Sequence, residues 1–176
     1  MKKMFITITI ICLCSCGIQK QEETVQNKIK RLTESLDYKV VLPNDWNSIL
    51  DSHQLLSYSP KNLGDIFYKN IIRIYDKDLD ENENYILKNL VIENINASRK
   101  NVNIDLKKSV PIISKYGETF VTRYESDWNS THYINTSFYF IHKEKFFIFR
   151  YSSDEKFYEK YFSDVNSIFN NLEFEN

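Results

Sequence analysis

Thr131-His132-Tyr133-Ile134-Asn135-Thr136-Ser137-Phe138-Tyr139-Phe140-Ile141-His142, then Lys143-Glu144-Lys145, then Phe146-Phe147-Ile148-Phe149-Arg150-Tyr151, decides the fold. β-branched and aromatic residues fill both arms, and these favour strands. The tight polar sequence His142-Lys143-Glu144-Lys145 turns the chain between them, so the arms pair as an antiparallel hairpin. Both parities of Phe146-Phe147-Ile148-Phe149 are apolar. Such a strand is covered on both sides, or covered on one and aromatic-rich on the other.

Downstream, Ser152 and Glu155 stand at capping-box spacing. The helix they open carries Phe157, Tyr161, Val165, Ile168, Phe169 and Leu172 as one apolar stripe. Asn171-Leu172-Glu173-Phe174 reads as a last short strand. Upstream, 116–126 is another long strand. Val102, Ile104 and Leu106 alternate with polar residues, which is strand period. Before them a helix is expected over 82–98, with Ile86, Leu87, Leu90, Val91 and Ile95 on its apolar face. The acidic residues Asp78, Asp80, Glu81 and Glu83 would lie before and at its first turn, and Arg99 and Lys100 at its end, as the helix dipole favours. Three further strands are expected, over 38–42, 55–58 and 66–75. Pro43-Asn44-Asp45 closes the first and Ser59-Pro60 the second. The order is strands, helix, antiparallel strands, helix. The fold class is α+β, an antiparallel sheet flanked by helices.

Several of these features resemble the PsbP-like fold. They are the opening Val41-Leu42-Pro43-Asn44-Asp45-Trp46, the alternating Val102-Asn103-Ile104-Asp105-Leu106, and the amphipathic run Phe157 to Phe174. That fold is shared by the extrinsic photosystem II subunit, a Ran-binding nuclear import factor and many bacterial lipoproteins. The resemblance implies an α/β/α sandwich on an antiparallel sheet. It also implies a non-catalytic role in binding, assembly or scaffolding. It offers no catalytic residues to carry over.

The N-terminus supplies an address. Lys2-Lys3 precede the apolar run Met4 to Ile11, which leads into Leu13-Cys14-Ser15-Cys16-Gly17. This has the form of a bacterial lipoprotein signal peptide and lipobox. The apolar run is too short to span a bilayer as a helix, which needs ~20 residues. Residues 1–15 are then the signal, and Cys16 is the acylated (palmitate-type) first residue of the mature chain. Residues 16–36 form a polar tether with helical character toward Leu36, and 37–176 form one domain. Membrane attachment at Cys16, a cell-envelope location (outer membrane) and an unidentified protein partner are the expectations.

The same reading limits the chemistry. The three cysteines are Cys12, Cys14 and Cys16, so the mature domain has no thiol for a disulfide, a zinc site or a nucleophile. The 23 Lys and Arg less Lys2 and Lys3 leave 21 against 24 acidic residues, a net charge near −3. That balance gives no reason to expect nucleic acid. Asp76-Lys77-Asp78-Leu79-Asp80 has the alternating carboxylates that open a calcium loop. The loop also needs Gly at its sixth position and Glu at its twelfth, where this chain has Glu81 and Leu87. A solvated acidic loop is the better reading, with no metal or other cofactor expected. His132 and His142 share a strand parity but stand ~33 Å apart along a continuous strand. No Gly-x-Ser-x-Gly occurs, so no enzyme class is indicated. Trp46 and, above all, Trp128 in the polar Ser126-Asp127-Trp128-Asn129-Ser130 are candidates for a small-ligand or glycan patch, weighed against simple packing. The lipobox yields a direct test: Cys16→Ser abolishes incorporation of a fatty-acid probe and releases the protein from the membrane fraction, whereas undiminished labelling refutes the assignment.

Overall fold

The computed structural model describes residues 24–61, 63, 69–80, 84–99 and 105–174. The signal, Cys16 and the strand segment 102–104 expected from the sequence lie outside the described residues. Helix α1 covers 24–34. Then follow β1 (Tyr38–Lys39), β2 (Trp46–Leu50), β3 (Leu56–Pro60), β4 (Asn70–Asp78) and α2 (Leu87–Arg99). The chain continues through β5 (Asp105–Ser114), β6 (Gly117–Trp128), β7 (Thr131–His142), β8 (Lys145–Asp154), α3 (Glu155–Asn170) and β9 (Glu173–Phe174).

Seven strands form one antiparallel sheet in the order β2-β3-β4-β8-β7-β6-β5, and β1 pairs with β9 in a separate two-stranded ribbon. The hairpin that opened the sequence reading lies in the middle of this sheet. Its register runs from Tyr133 opposite Asp154 to His142 opposite Lys145. Lys143 and Glu144 both take positive φ, at 45° and 60°, as do Asn129 and Ser130 in the β6–β7 turn, at 48° and 60°. Positive φ at both central residues is the type I′ geometry, whose twist matches that of the flanking strands.

The two faces carry separate cores. On one, α3 lays Tyr158, Tyr161, Val165, Ile168 and Phe169 onto Phe138, Phe140, Phe147, Phe149 and Tyr151. Phe138 stacks on Phe169 at 4.3 Å, and Phe140 on Phe147 at 5.2 Å. On the other, α2 lays Leu87, Val91 and Ile95 onto Phe120, Tyr139, Phe146 and Ile148. Consecutive residues of β8 therefore enter different cores, which is why both parities of Phe146 to Phe149 are apolar. The C-terminus of α3 is closed by the β5–β6 turn. The Tyr116 hydroxyl donates to the carbonyls of Phe169 (2.7 Å) and Leu172 (3.0 Å), and Lys115 Nζ donates to Leu172 (2.9 Å). The Phe169 carbonyl, in the last turn, also accepts from Leu172 N at 3.4 Å, and a cation suits that end of the dipole.

Local signals mislead in five places. The first expected strand shrinks to Tyr38–Lys39, while Trp46–Leu50, not expected as a strand, pairs along its whole length with β3. Pairing partners rather than propensity decide such short segments. Pro60 does not stop β3 but ends it inside the ladder, opposite Trp46. β5 runs on through Pro111 to Ser114, because it is an outer strand and a missing N–H is tolerated there. α2 begins at Leu87 with no acidic residue in its first turn, since β4 carries Asp76 and Asp78 along the sheet as far as Lys145. The cap of α3 is Asp154, whose carboxylate accepts from Lys156 N at 3.1 Å, and not Ser152. β8 remains paired with β4 and β7 through Ser153, so the helix has no room to start earlier.

One ion pair is sealed into the β2–β3 end. Arg73 Nε lies 2.6 Å from Asp51 Oδ2, and the Asp51 side chain is 1 % exposed. Burial pushes the Asp51 pKa up, but the Leu55 N–H, Arg73 and the His53 N–H outweigh it and hold the carboxyl below its usual value. A depressed carboxylate pKa contributes stability that is present above the unfolded-state value and is lost as pH falls through the folded one. Asp51→Ala therefore costs about 3 kcal/mol in denaturant unfolding at neutral pH. It also flattens the loss of stability that the wild type shows below about pH 4. In the opposite direction, Glu144→Gly relieves a side chain from left-handed backbone and raises the melting temperature by about 2–4 °C in calorimetry.

Candidate functional site

Helix α2 spans only part of its face of the sheet, and clefts open along both of its flanks. The cleft toward β5 and β6 has a volume of about 570 Å³ and a floor of Val91, Ile95, Leu106, Pro111 and Phe120. Lys88, Arg99 and Glu118 stand around it. Beside it, β5 forms the outer edge of the sheet. Ile113 there is 84 % exposed, Ile112 is also exposed, and Ile92 of α2 faces solvent across the cleft. An edge strand presents backbone N–H and C=O groups that can pair with another chain. The bulge between Leu106 and Lys108 and the proline at 111 blunt the first half of this edge. Ile112 and Ile113 follow with neither device.

The opposite flank, toward β4 and β8, holds a cleft of about 390 Å³ lined by Tyr75, Asn94, Ser98, Phe146, Ile148 and Arg150, among others. Two side-chain rows of the sheet lie on this face, and they enter the cleft lining through Tyr75 and Ile148 of one row and Arg150 of the next. Tyr75, Ile148, Tyr139 and Phe120 stand opposite one another across β4, β8, β7 and β6. The next row is Arg73, Arg150, Ser137 and Thr122. This second row is polar although Ser137 and Thr122 have no solvent exposure. Arg150 Nε donates to Ser137 Oγ at 3.2 Å, and its guanidinium sits 5.6 Å from the Tyr75 ring centroid. Burial works against its charge, while the oxygens of Tyr124, Tyr139 and Tyr75 outweigh burial and favour it.

The residues singled out from the sequence do not converge. Trp46 is 2 % exposed in the α3 core, where its Nε1 donates to Asp164 at 3.2 Å and its ring meets Tyr161 edge-on. It is therefore out of a ligand's reach. Trp128 is 62 % exposed and ends β6, which four intervening strands separate from β2. Its strand continues to the two-residue turn, so the loop expected around it is only Asn129-Ser130. Beside it, His132 Nδ1 lies 2.7 Å from Asp127 Oδ1, and that bond raises the imidazole pKa. Asp127 is itself largely exposed, so the pair is a solvent-screened surface contact.

Asp76 and Asp78 turn their carboxylates to Lys145, whose Nζ lies 3.2 Å and 3.7 Å from them and 2.7 Å from Asp37. An ammonium occupies the place a calcium ion would need. Among the described residues no group of three or more potential ligands is arranged to hold a metal. His142 stands at the far end of β7 from His132, against the Phe174 ring at 4.2 Å, and burial lowers its pKa. In the sequence Arg150 is one cation of the basic and aromatic stretch Lys143 to Tyr151, for which core packing is a better reading than a surface that stacks bases or sugars. Its local signal is a single cation, next to last in the aromatic run Phe146 to Tyr151.

No protein-family model matches the chain, and no curated protein matches its sequence. Solved structures do match. Cyanobacterial PsbP (CyanoP) from Synechocystis superposes over 79% of this chain and 87% of its own, with a TM-score of 0.54 at 9% identity. LpqN, involved in cell envelope biogenesis of Mycobacterium tuberculosis, covers 79% and 83% with a TM-score of 0.52 at 10% identity. A protein from Bacteroides thetaiotaomicron gives 0.53 at 14% identity, where the match covers 79% of this chain but 45% of the other. At such identities the likeness is one of architecture. Together with the seven-stranded antiparallel sheet, α3 on one face and α2 on the other, it establishes that this chain has the PsbP-like fold.

Proposed function

We propose that this chain is a non-enzymatic lipoprotein of the bacterial cell envelope, tethered through Cys16, whose PsbP-like domain binds another protein along the outer edge of β5. The observation that carries the reading is the exposure of Ile112 and Ile113 on β5, whose outer edge has no partner strand among the described residues, beside the apolar cleft under α2. A partner strand added to β5 would gain backbone hydrogen bonds, and an apolar side chain of that strand would fill the cleft. Lys88 and Arg99 at the rim favour acidic residues flanking the docked segment. The lipobox supports the envelope location. The structural likeness to LpqN, a protein described as involved in cell envelope biogenesis, is in keeping with it.

A second reading follows from the exposure of Trp128. An exposed indole flanked by Asp127 and His132 is the kind of surface on which a sugar ring stacks. The two readings separate in one experiment. A photo-crosslinking amino acid at position 113 of the full-length protein in intact cells should yield one discrete protein adduct, and Ile113→Asp with Ile92→Lys should abolish co-purification of that protein without changing the melting temperature. Absence of an adduct at 113, with a glycan-induced change in Trp128 fluorescence, would instead favour the glycan surface.

A further inference from the structure

We propose that Arg150 anchors a binding site for the carboxylate or phosphate group of a small organic anion, housed in the cleft between α2 and strands β4 and β8. Arg150 and Arg73 stand directly opposite each other on neighbouring strands. Like charges in that relation repel. Arg73 is neutralised by the buried Asp51 at 2.6 Å. Arg150 has no such carboxylate among the described residues: its contacts are the Ser137 hydroxyl, the Tyr139 hydroxyl and the Tyr75 ring. A guanidinium withdrawn from bulk water is ordinarily paired with an anion, because desolvating its charge is costly. The Ser137 and Tyr139 hydroxyls satisfy some of its N–H donors and the Tyr75 ring lies against it, none of them supplying a full charge.

The surroundings fit a ligand rather than a missing structural partner. The cleft of about 390 Å³ opens to solvent beside Arg150 and lies within the size range of small-molecule sites. Phe146, Ile148 and the Tyr75 ring give it an apolar wall, while Asn94 and Ser98 of α2 offer polar groups from the opposite side. Lys77, one residue pair further along the same face, adds a second cation at the mouth. Asp76 also borders the cleft, but its carboxylate is held by Lys145. In the same polar row as Arg150, the Thr122 hydroxyl is buried and has no hydrogen-bond partner among the described residues. The chemistry selected is a planar or tetrahedral oxyanion, which a guanidinium grips bidentately, on an aromatic or otherwise apolar body of modest size. The site lies across α2 from the β5 edge and does not depend on the docking surface proposed there.

The test uses the full-length protein in a non-ionic detergent, with benzoate and phenyl phosphate as probes and benzyl alcohol as the uncharged control. Calorimetric titration and thermal melting should show binding and a raised melting temperature with both anions and none with the alcohol. Arg150→Gln should weaken binding at least ~tenfold, the loss expected for a charge-assisted hydrogen-bonding partner. Ser98→Trp, which fills the mouth and leaves Arg150 intact, should block binding as well. Arg150→Met should melt no lower than the wild type without ligand, because it removes an uncompensated charge. Three results overturn the proposal. One is no anion-dependent shift in the wild type. Another is a shift retained in both Arg150→Gln and Ser98→Trp. The last is binding of a short-chain anionic phospholipid but of neither probe.

Discussion

The contact between α3 and the aromatic face of β7 and β8 governs the rest of this structure. Phe138, Phe140, Phe147 and Phe149 project from adjacent strands onto that face, and Phe169 lies among them within ring-contact distance of Phe138, Phe140 and Phe149. Each of these rings contributes roughly 2–3 kcal/mol by leaving water. In a domain without a disulfide, that burial has to offset the chain entropy unaided. The ends of α3 are tied to the same layer. Asp154, the last residue of β8, caps its start, and Tyr116 and Lys115 accommodate the carbonyls at its finish. The β1–β9 ribbon then closes the layer at one edge, through Tyr38 against Phe147 and Phe174 against Tyr116.

Because one face is given over to α3, the other is left to α2, which is shorter and covers less. Its three buried residues reach Phe120, Tyr139, Phe146 and Ile148 but stop short of the row that contains Arg73, Arg150, Ser137 and Thr122. The sheet is therefore apolar through its thickness only under α2, and polar where α2 ends. That incomplete cover creates both clefts and leaves β5 as an open edge. Both of these clefts are thus a by-product of how the core is distributed, and both lie on the α2 side of the molecule. Architecture alone does not fix chemistry; the side chains placed in those gaps set what each can hold.

Much of the fold was legible locally. The central hairpin, the helix that follows it and the antiparallel arrangement are all written in short-range patterns: double-sided apolarity in Phe146 to Phe149, an apolar stripe at helical spacing, and a tight polar turn. The segments that misled are those whose local chemistry is weak. Trp46 to Leu50 lacks a β-branched run yet is a strand, because β3 lies beside it. Asp76 and Asp78 resemble a cation loop yet belong to a strand, because Lys145 is their cross-strand neighbour. Trp46 and Trp128 look alike in sequence, each in a polar turn region. One became core and the other surface, because α3 passes over the first and nothing described covers the second. The cluster around Arg150 was illegible for the same reason. Arg73, Ser137, Tyr75 and Arg150 come from three strands, and only their register makes them neighbours.

The scaffold is written in the sequence: a chain with no cysteine after position 16, and an alternation of apolar residues that fits an antiparallel sheet between two helices. These follow from interactions between residues close in the chain, whose periodicity can be read one segment at a time. What only the tertiary structure decided is which charges find partners. Asp51 reaches Arg73, Lys145 gathers Asp37, Asp76 and Asp78, and Arg150 is left facing an open cleft. Electrostatic pairing depends on distance in space, and strand order and register set that distance in a sheet whose neighbours β4 and β8 are some seventy residues apart in the chain.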